Sequence, residues 1–240
     1  MNQETRNYEA VLKKCLEDNE RRILDSGARR EFETGAVRDI QEGKGRCDLL
    51  PLEVIGDYLM SSKVNSVEYQ TVANILENLD YYINYDGNIQ RIHTAIRLFV
   101  DMKKWSPIGA VLEVAKHYEQ GAKKYAERNW EKGIPCHCYV DSGVRHLLKW
   151  LDGWDDEPHD RAFLWNMFCL LWTVQHKSNL NDLPFYVKRK EQMLEEAGKA
   201  EDRIWGTPED RKLRRDIIEA TECSNKIQKA MEETENGKCK

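Results

Sequence analysis

The sequence lacks a hydrophobic run of the roughly 20 residues that a membrane span needs. Its first ten residues are polar and contain no apolar core of a secretion signal. An excess of basic residues, which is usual in nucleic-acid-binding proteins, is also missing, because the net charge is −5. We therefore expect a cytoplasmic protein that has no membrane partner and binds no nucleic acid stably.

A cysteine framework is missing as well. The seven cysteines are odd in number and scattered, which favours reduced thiols over disulfides. Cys136, His137 and Cys138 stand together, but no second Cys/His pair follows at the spacing of a zinc finger. We therefore do not expect a structural zinc site.

Alternating β-branched runs are absent, and apolar residues recur instead at helical spacing. This pattern predicts an all-α protein with a helix over residues 7–25, helices between 52 and 105 that are separated by a turn at 85–88, and three bundle helices from 108 to 171. Residues 35–45 are predicted to form an ordered loop. The first bundle helix is predicted to bury a stripe made of Ile108, Val111, Leu112, Ala115, Tyr118, Ala122 and Tyr125.

Acidic residues gather at the start of the third bundle helix. Glu157 and Asp160 are three residues apart, and Asp160 should turn toward the buried stripe of its helix. Carboxylates inside a bundle are suitable ligands for Mg²⁺ or Mn²⁺. The alternative is that Asp155, Asp156 and Glu157 only cap the helix and complement its dipole.

Other residues of the bundle allow two interpretations each. The pairs Glu119–Lys123 and Asp141–Arg145 have the spacing of ordinary surface ion pairs. His146 lies between apolar residues, which is more typical of a core or rim histidine than of a ligand. Tryptophans in this region could stack on a base or pack in the bundle.

The segment 38–46 combines three cations, Arg38, Lys44 and Arg46, with flexible glycines. Gly-rich turns with basic side chains suit a polyphosphate, because amides and cations both bind anions. The segment is not a P-loop, since neither GxxxxGKS nor GxxxxGKT occurs. A solvated loop with local salt bridges is the alternative.

Two blocks of sequence carry a resemblance to a known family. The first comprises residues 29–39, 42–46 and 48–51, and the second comprises 117–119, 121–125, 128–133, 141, 145–146, 150, 153, 156–157, 159 and 165–166. They resemble the phage-associated dATP/dGTP diphosphohydrolase N-terminal domain family, which is similar to the MazG-like all-α NTP pyrophosphohydrolases. The resemblance implies a bacterial or phage-infected cell, and hydrolysis of purine dNTPs to the monophosphate and pyrophosphate with Mg²⁺ or Mn²⁺.

The resemblance also predicts an organisation and an assembly. Residues 1–55 would hold the N-terminal helix and the cationic loop, 56–107 a helical insertion, 108–177 the catalytic bundle, and 178–240 a charged helical extension. MazG-like bundles are commonly completed by a partner chain, which implies a homo-oligomer, although the insertion could fill that place within one chain.

The predicted site has three groups of residues. The metal ligands are expected to be Glu119, Asp156, Glu157 and Asp160, with His146 beside the first three in the catalytic centre. The residues expected to bind phosphate are Arg38, Lys44, Arg46, Lys124 and Arg145. The residues expected to contact the base or ribose, or to orient the site, are Asn129, Trp130 and Asn166.

Two rival hypotheses remain. An HD-type phosphohydrolase would use the doublet His159-Asp160, with His146, His117 and Asp182 as further ligands, and would release phosphate or triphosphate. A non-catalytic helical adaptor would keep the fold and use its charged tail for a partner.

Overall fold

The computed structural model describes residues 23, 27–61, 66–205 and 207–236, and the predicted helix over 7–25 lies outside them except for Ile23. The all-α prediction is confirmed, because the described residues contain eight α-helices and a single two-stranded sheet. The helices are α1 (Leu52–Ser61), α2 (Val67–Tyr81), α3 (Gln90–Met102), α4 (Pro107–Tyr125), α5 (Cys136–Leu151), α6 (His159–His176), α7 (Pro184–Trp205) and α8 (Pro208–Asn236). None of these described helices is long and apolar enough to cross a membrane.

The chain divides into two compact units, one ending at Val187 and the other starting at Lys188. The first unit contains the sheet and α1 to α6, and the second contains most of α7 and all of α8. Helix α8 begins at a capping box, in which Thr207 and Asp210 exchange hydrogen bonds. The four predicted segment boundaries stay a prediction.

The core of the first unit is built on α5 and α6. Apolar residues of both helices are buried, including Tyr139, Val144, Phe163 and Met167. Gly143 allows the close approach of the two helices, since a Cβ atom there would lie 2.7 Å from Cε of Met167. The two antiparallel helices therefore hold their connecting turn, and the residues beside it, in a fixed position.

The predicted turn at 85–88 is confirmed. A π-helical turn, Tyr82–Asp86, follows α2, and Gly87 ends it with a φ of 58°. A side chain at Gly87 would also collide with the ring of Phe185, whose Cδ1 atom would be 2.5 Å away. Glycine is therefore required here both for its backbone conformation and for the space.

The predicted stripe on α4 is wrong in its first half. Ile108, Val111 and Leu112 are 71%, 54% and 61% exposed, whereas Ala110 and Val114 are buried. Apolar residues occur on two faces of this helix, and periodicity cannot say which of them meets the core. In this first half of the helix, small and medium side chains are buried and the larger ones face outward.

The segment predicted as a loop contains a strand. β1 (Arg29–Glu31) pairs antiparallel with β2 (Val37–Asp39), with Arg30 opposite Arg38. Gly35 forms the connecting turn with a φ of 76°. Three-residue strands are too short to show the alternation by which a strand is recognised in a sequence.

Replacing Phe99 with alanine should lower the free energy of unfolding by about 3–5 kcal/mol, because it removes a fully buried ring from the core. The ring of Phe99 contacts those of Phe163 and Trp150 at centroid distances of 4.7 and 5.2 Å. Urea unfolding measures the change. Tyr58, which is 69% exposed, supplies the control, and a Tyr58→Ala loss as large as that of Phe99→Ala would contradict this description of the core.

Candidate active site

A cavity of about 1010 Å³ lies in the first unit, between β2 with its following loop and the helices α4, α5 and α6. This volume is at the upper end of the range of small-molecule sites, roughly 300–1,000 Å³. The cavity wall combines cationic, acidic and aromatic side chains, among them Lys44, His117, Arg145, His146, Glu157 and Trp165. It brings together both segments in which the sequence placed the chemistry.

Asp39, at the end of β2, anchors the hairpin to α4. Its carboxylate accepts hydrogen bonds from Nζ of Lys124 at 2.7 Å and the hydroxyl of Tyr125 at 2.9 Å, and Arg29 lies at 3.3 Å. Burial raises the pKa of Asp39, but these hydrogen bonds outweigh it and hold the pKa below its ordinary value. Lys124, predicted to bind phosphate, is thus buried as the partner of Asp39.

Asp141 fixes the loop that follows β2. This residue is buried on α5, and its carboxylate accepts hydrogen bonds from the backbone N–H of Cys47 at 2.7 Å and from Nε2 of Gln41 at 2.8 Å. Arg145 contacts the same carboxylate. The interpretation of Asp141 and Arg145 as an ordinary surface pair is therefore wrong, because the pair ties residues 41–47 to the bundle.

Arg145 and Lys44 bring positive charge to the cavity. Arg145 donates from Nε to the carbonyl of Lys44 at 3.1 Å and from Nη2 to that of Gly45 at 3.2 Å. Burial lowers the pKa of Lys44, while the negative charges of Asp39 and Glu157 oppose this effect. The Lys44 ammonium is 3.8 Å from Asp39, a looser contact than a direct hydrogen bond.

Arg46 does not lie at the cavity with Lys44 and Arg145. It donates two hydrogen bonds to the neighbouring Asp48, at 2.7 and 2.6 Å, and it is exposed. It is also not among the residues that line the cavity.

Several other predicted residues line the cavity while they hold the fold together. Arg38 donates to the carbonyl of Cys138 and to Oδ1 of Asn166, both at 3.1 Å. Asn129 exchanges two hydrogen bonds with the backbone of Val37, and Trp130 packs edge-on against aromatic neighbours. These contacts position β2 on the bundle, and the predicted base or ribose contacts stay a prediction.

Three potential metal ligands converge at the cavity wall. Nδ1 of His146 lies 2.9 Å from Nδ1 of His159, and Oε1 of Glu157 lies 3.6 and 3.8 Å from these two atoms. They form the one group of at least three such ligands found among the described residues. Burial, followed by the neighbouring His159, lowers the pKa of His146 well below its ordinary value, so this imidazole is neutral.

Asp156 contacts the ring nitrogen of His159 that is not part of this cluster. Its carboxylate lies 2.7 Å from Nε2 of His159 and accepts a hydrogen bond from Lys149 at 3.2 Å. A proton on Nε2, facing this carboxylate, would leave the Nδ1 lone pair of His159 directed toward His146 and Glu157.

The four carboxylates predicted to bind the metal do not come together in one cluster. Glu119 is on the cavity rim, where its 64% exposed side chain pairs with Lys123 at 2.5 Å. Asp160 pairs with Lys103 at 2.8 Å, because its position on the first turn of α6 turns it toward α3. Only Glu157 of the four belongs to the cluster described above.

The HD-type arrangement is not formed either. It requires Asp160 and Asp182 beside the histidines, but Asp160 is bound to Lys103, and Asp182 accepts a hydrogen bond from the backbone N–H of His137 at 2.9 Å. His146 and His159 do meet, as that hypothesis required.

Sequence reasoning named two histidines at the cavity only as ligands of the HD-type alternative. His159 appeared only as half of a doublet, although a histidine near the end of one helix and another at the start of the next are natural neighbours across a short turn. His117 also lines the cavity, and its buried Nδ1 has no hydrogen-bond partner among the described residues. Burial, followed by the charge of Arg161, lowers the pKa of His117 to about 3.

A family model described as dATP/dGTP diphosphohydrolase, N-terminal, matches residues 93–183. The matched region contains α4, α5 and α6 with His146, Glu157 and His159, but not the hairpin and its loop. The match starts inside the segment predicted as an insertion. Searches of curated proteins and of solved structures gave no match.

Replacing Asp141 with asparagine should lower the free energy of unfolding by about 3 kcal/mol, because Arg145 then lacks its buried partner. Hydrogen exchange of the amides of residues 41–49 should speed up more than that of the α5–α6 core. The exposed residue Asp101 supplies the control as Asp101→Asn. Unchanged protection of residues 41–49 in Asp141→Asn would show that this carboxylate does not anchor the loop.

The His137–Asp182 pair should make stability depend on pH. The hydrogen bond to Asp182 raises the pKa of His137 from 6.5 to about 10. A raised pKa means that the pair stabilises fully below pH 6.5 and that this contribution is lost as the pH rises through about 10.

Asp182→Asn should therefore lower the free energy of unfolding by about 1–2 kcal/mol at pH 6. The difference from the unmodified protein should shrink steadily between pH 6.5 and 10. Urea unfolding across this range measures it, with the exposed Asp57→Asn as control. A difference that grows with pH would contradict the assignment.

Proposed function

We propose, from the match of residues 93–183 to the dATP/dGTP diphosphohydrolase N-terminal family model, that this chain hydrolyses purine deoxynucleoside triphosphates. The reaction is the metal-dependent release of pyrophosphate from the nucleotide, which leaves the monophosphate. The observation that carries the proposal is the meeting of a cationic loop and a histidine–carboxylate cluster in one cavity of sufficient size.

The loop side of the cavity suits the triphosphate. Lys44 is available to a phosphate oxygen, because its nearest carboxylate contact is 3.8 Å long and its side chain is 37% exposed. Arg145 holds the backbone of Lys44 and Gly45, and so fixes where that ammonium can reach. Positioned cations are a main source of rate acceleration in phosphoryl transfer.

Lys44 and Arg145 line the same cavity as His146 and Glu157. Glu157 contributes to the electrostatic environment of Lys44, and Arg145 to that of His146. A polyphosphate held by Lys44 would therefore reach toward the cluster, with its negative charge compensated by the loop.

The residues that would hold a divalent metal ion are His146, Glu157 and His159. Their donor atoms already face one another, and Asp156 orients the ring of His159. When bound, such an ion supplies charge neutralisation for the phosphates and a water molecule of lowered pKa. The side chains bind and orient the substrate, and the burial of the cluster limits the access of other water molecules.

Two finer predictions belong to the same proposal. Similarity to the MazG-like enzymes implies attack that releases pyrophosphate, and a homo-oligomer in solution. An adaptor without catalysis would have no use for a cavity in which a cation, two imidazoles and a carboxylate converge.

A panel of NTPs and dNTPs, each incubated with Mg²⁺ or Mn²⁺ and separated by ion-exchange chromatography, tests the reaction. The expected products are dAMP or dGMP together with pyrophosphate. Release of phosphate with a diphosphate, or of intact triphosphate, would overturn the stated reaction. No turnover of any nucleotide would favour the adaptor.

Lys44→Met should lower kcat/KM for the preferred dNTP by about 10–100-fold, because a charged contact to phosphate contributes about 1.5–3 kcal/mol. Lys199→Met is the matched control, since Lys199 is an exposed lysine of the second unit that pairs with Glu195. Equal kinetics for Lys44→Met and the control would remove the loop from the substrate site.

A further inference from the structure

We infer that His146, Glu157 and His159 form one binding site for a transition-metal ion such as Mn²⁺, Fe²⁺, Co²⁺ or Zn²⁺, in preference to Mg²⁺, and that Asp156 positions His159 within it. This inference rests on the proposed function for its role in hydrolysis, but the binding of the ion itself does not depend on that role.

The spacing of the three donor atoms fits an ion. Nδ1 of His146, Nδ1 of His159 and Oε1 of Glu157 are separated by 2.9, 3.6 and 3.8 Å. A point equidistant from all three lies about 2 Å from each, which is the usual length of a bond from zinc to histidine nitrogen or carboxylate oxygen. The three donor atoms therefore lie at distances that a single ion can bridge.

The donor types decide which ion is favoured. Mg²⁺ prefers six oxygen ligands in a near-ideal octahedron, whereas imidazole nitrogen suits the later first-row ions. Two of the three donors here are nitrogens. The site therefore discriminates against Mg²⁺ by chemistry rather than by size.

The residues around the cluster supply features of a metal site that a hydrogen bond between two histidines would not need. Asp156 faces the second nitrogen of His159 at 2.7 Å, which is the carboxylate–histidine–metal arrangement seen behind many metal ligands. His146 and Glu157 line the cavity, while His159 is buried beneath them. Three protein ligands on one side leave positions open toward the cavity for water or phosphate.

Isothermal titration of the full chain, first stripped of metal with EDTA, tests the inference with Mn²⁺, Zn²⁺ and Mg²⁺ as titrants. One ion per chain should bind, at least 100-fold more tightly for Zn²⁺ than for Mg²⁺, with Mn²⁺ between the two. Glu157→Gln and His146→Asn should each abolish this preference, and Asp156→Asn should weaken binding by about 10–100-fold. The exposed residues His93 and Glu77 supply the matched controls, His93→Asn and Glu77→Gln.

A spectroscopic measurement on the unmodified protein keeps the inference testable if the variants fail to fold. Electron spin-echo spectroscopy of Mn²⁺ bound to the unmodified protein should show coupling to imidazole nitrogen nuclei, which an all-oxygen site cannot give. Absence of that coupling, or Mg²⁺ binding as tight as that of Zn²⁺, would overturn the inference. Binding with nitrogen coupling but without dNTP turnover would support the metal site and refute the proposed function. Turnover that survives in Glu157→Gln would support the proposed function and argue against the metal site.

Discussion

A buried carboxylate, Asp141, determines how the sequence on either side of the cavity comes together. It is buried on α5 and binds Gln41, Cys47 and Arg145 around one side chain. A carboxylate removed from water must be compensated, and here the compensation comes from Arg145 on the same helix and from a loop roughly 100 residues earlier in the chain. Without this interaction, the loop that carries Lys44 would lose the contacts with Asp141 that hold it at the mouth of the bundle.

The second determinant is the turn between α5 and α6. Gly153, with a φ of 80°, reverses the chain, so that the end of one helix and the start of the next lie side by side. His146 and His159 face each other for that reason, and Glu157 is brought in by the turn itself. The packing of Gly143 against Met167 fixes the helices, and the chemistry of the cluster therefore depends on the quality of the core beneath it.

Much of the fold could be predicted from the sequence, because the stripes of α5 and α6 are strongly periodic and lead to one solution. The face of α4 could not, since Ile108 and Val111 have the same periodicity as Ala110 and Val114 but remain exposed. The site was harder to predict than the fold. Glu157 and His146 were found from residue type and position. Asp160 was assigned to the metal instead of to Lys103, because a contact between residues 57 positions apart leaves no local signal in the sequence. The partnership of His159 with Asp156 likewise depends on the geometry of a turn that the sequence does not specify.

In the proposed site, the cationic loop and the cluster of His146, Glu157 and His159 hold one substrate between them. Phosphorus NMR relaxation of a non-hydrolysable dATP analogue, bound to the protein in the presence of Mn²⁺, tests this arrangement. We expect strong paramagnetic relaxation of the triphosphate signals in the unmodified protein, and its loss in Glu157→Gln at equal analogue occupancy. Binding of the analogue without Mn²⁺-dependent relaxation in the unmodified protein would contradict it.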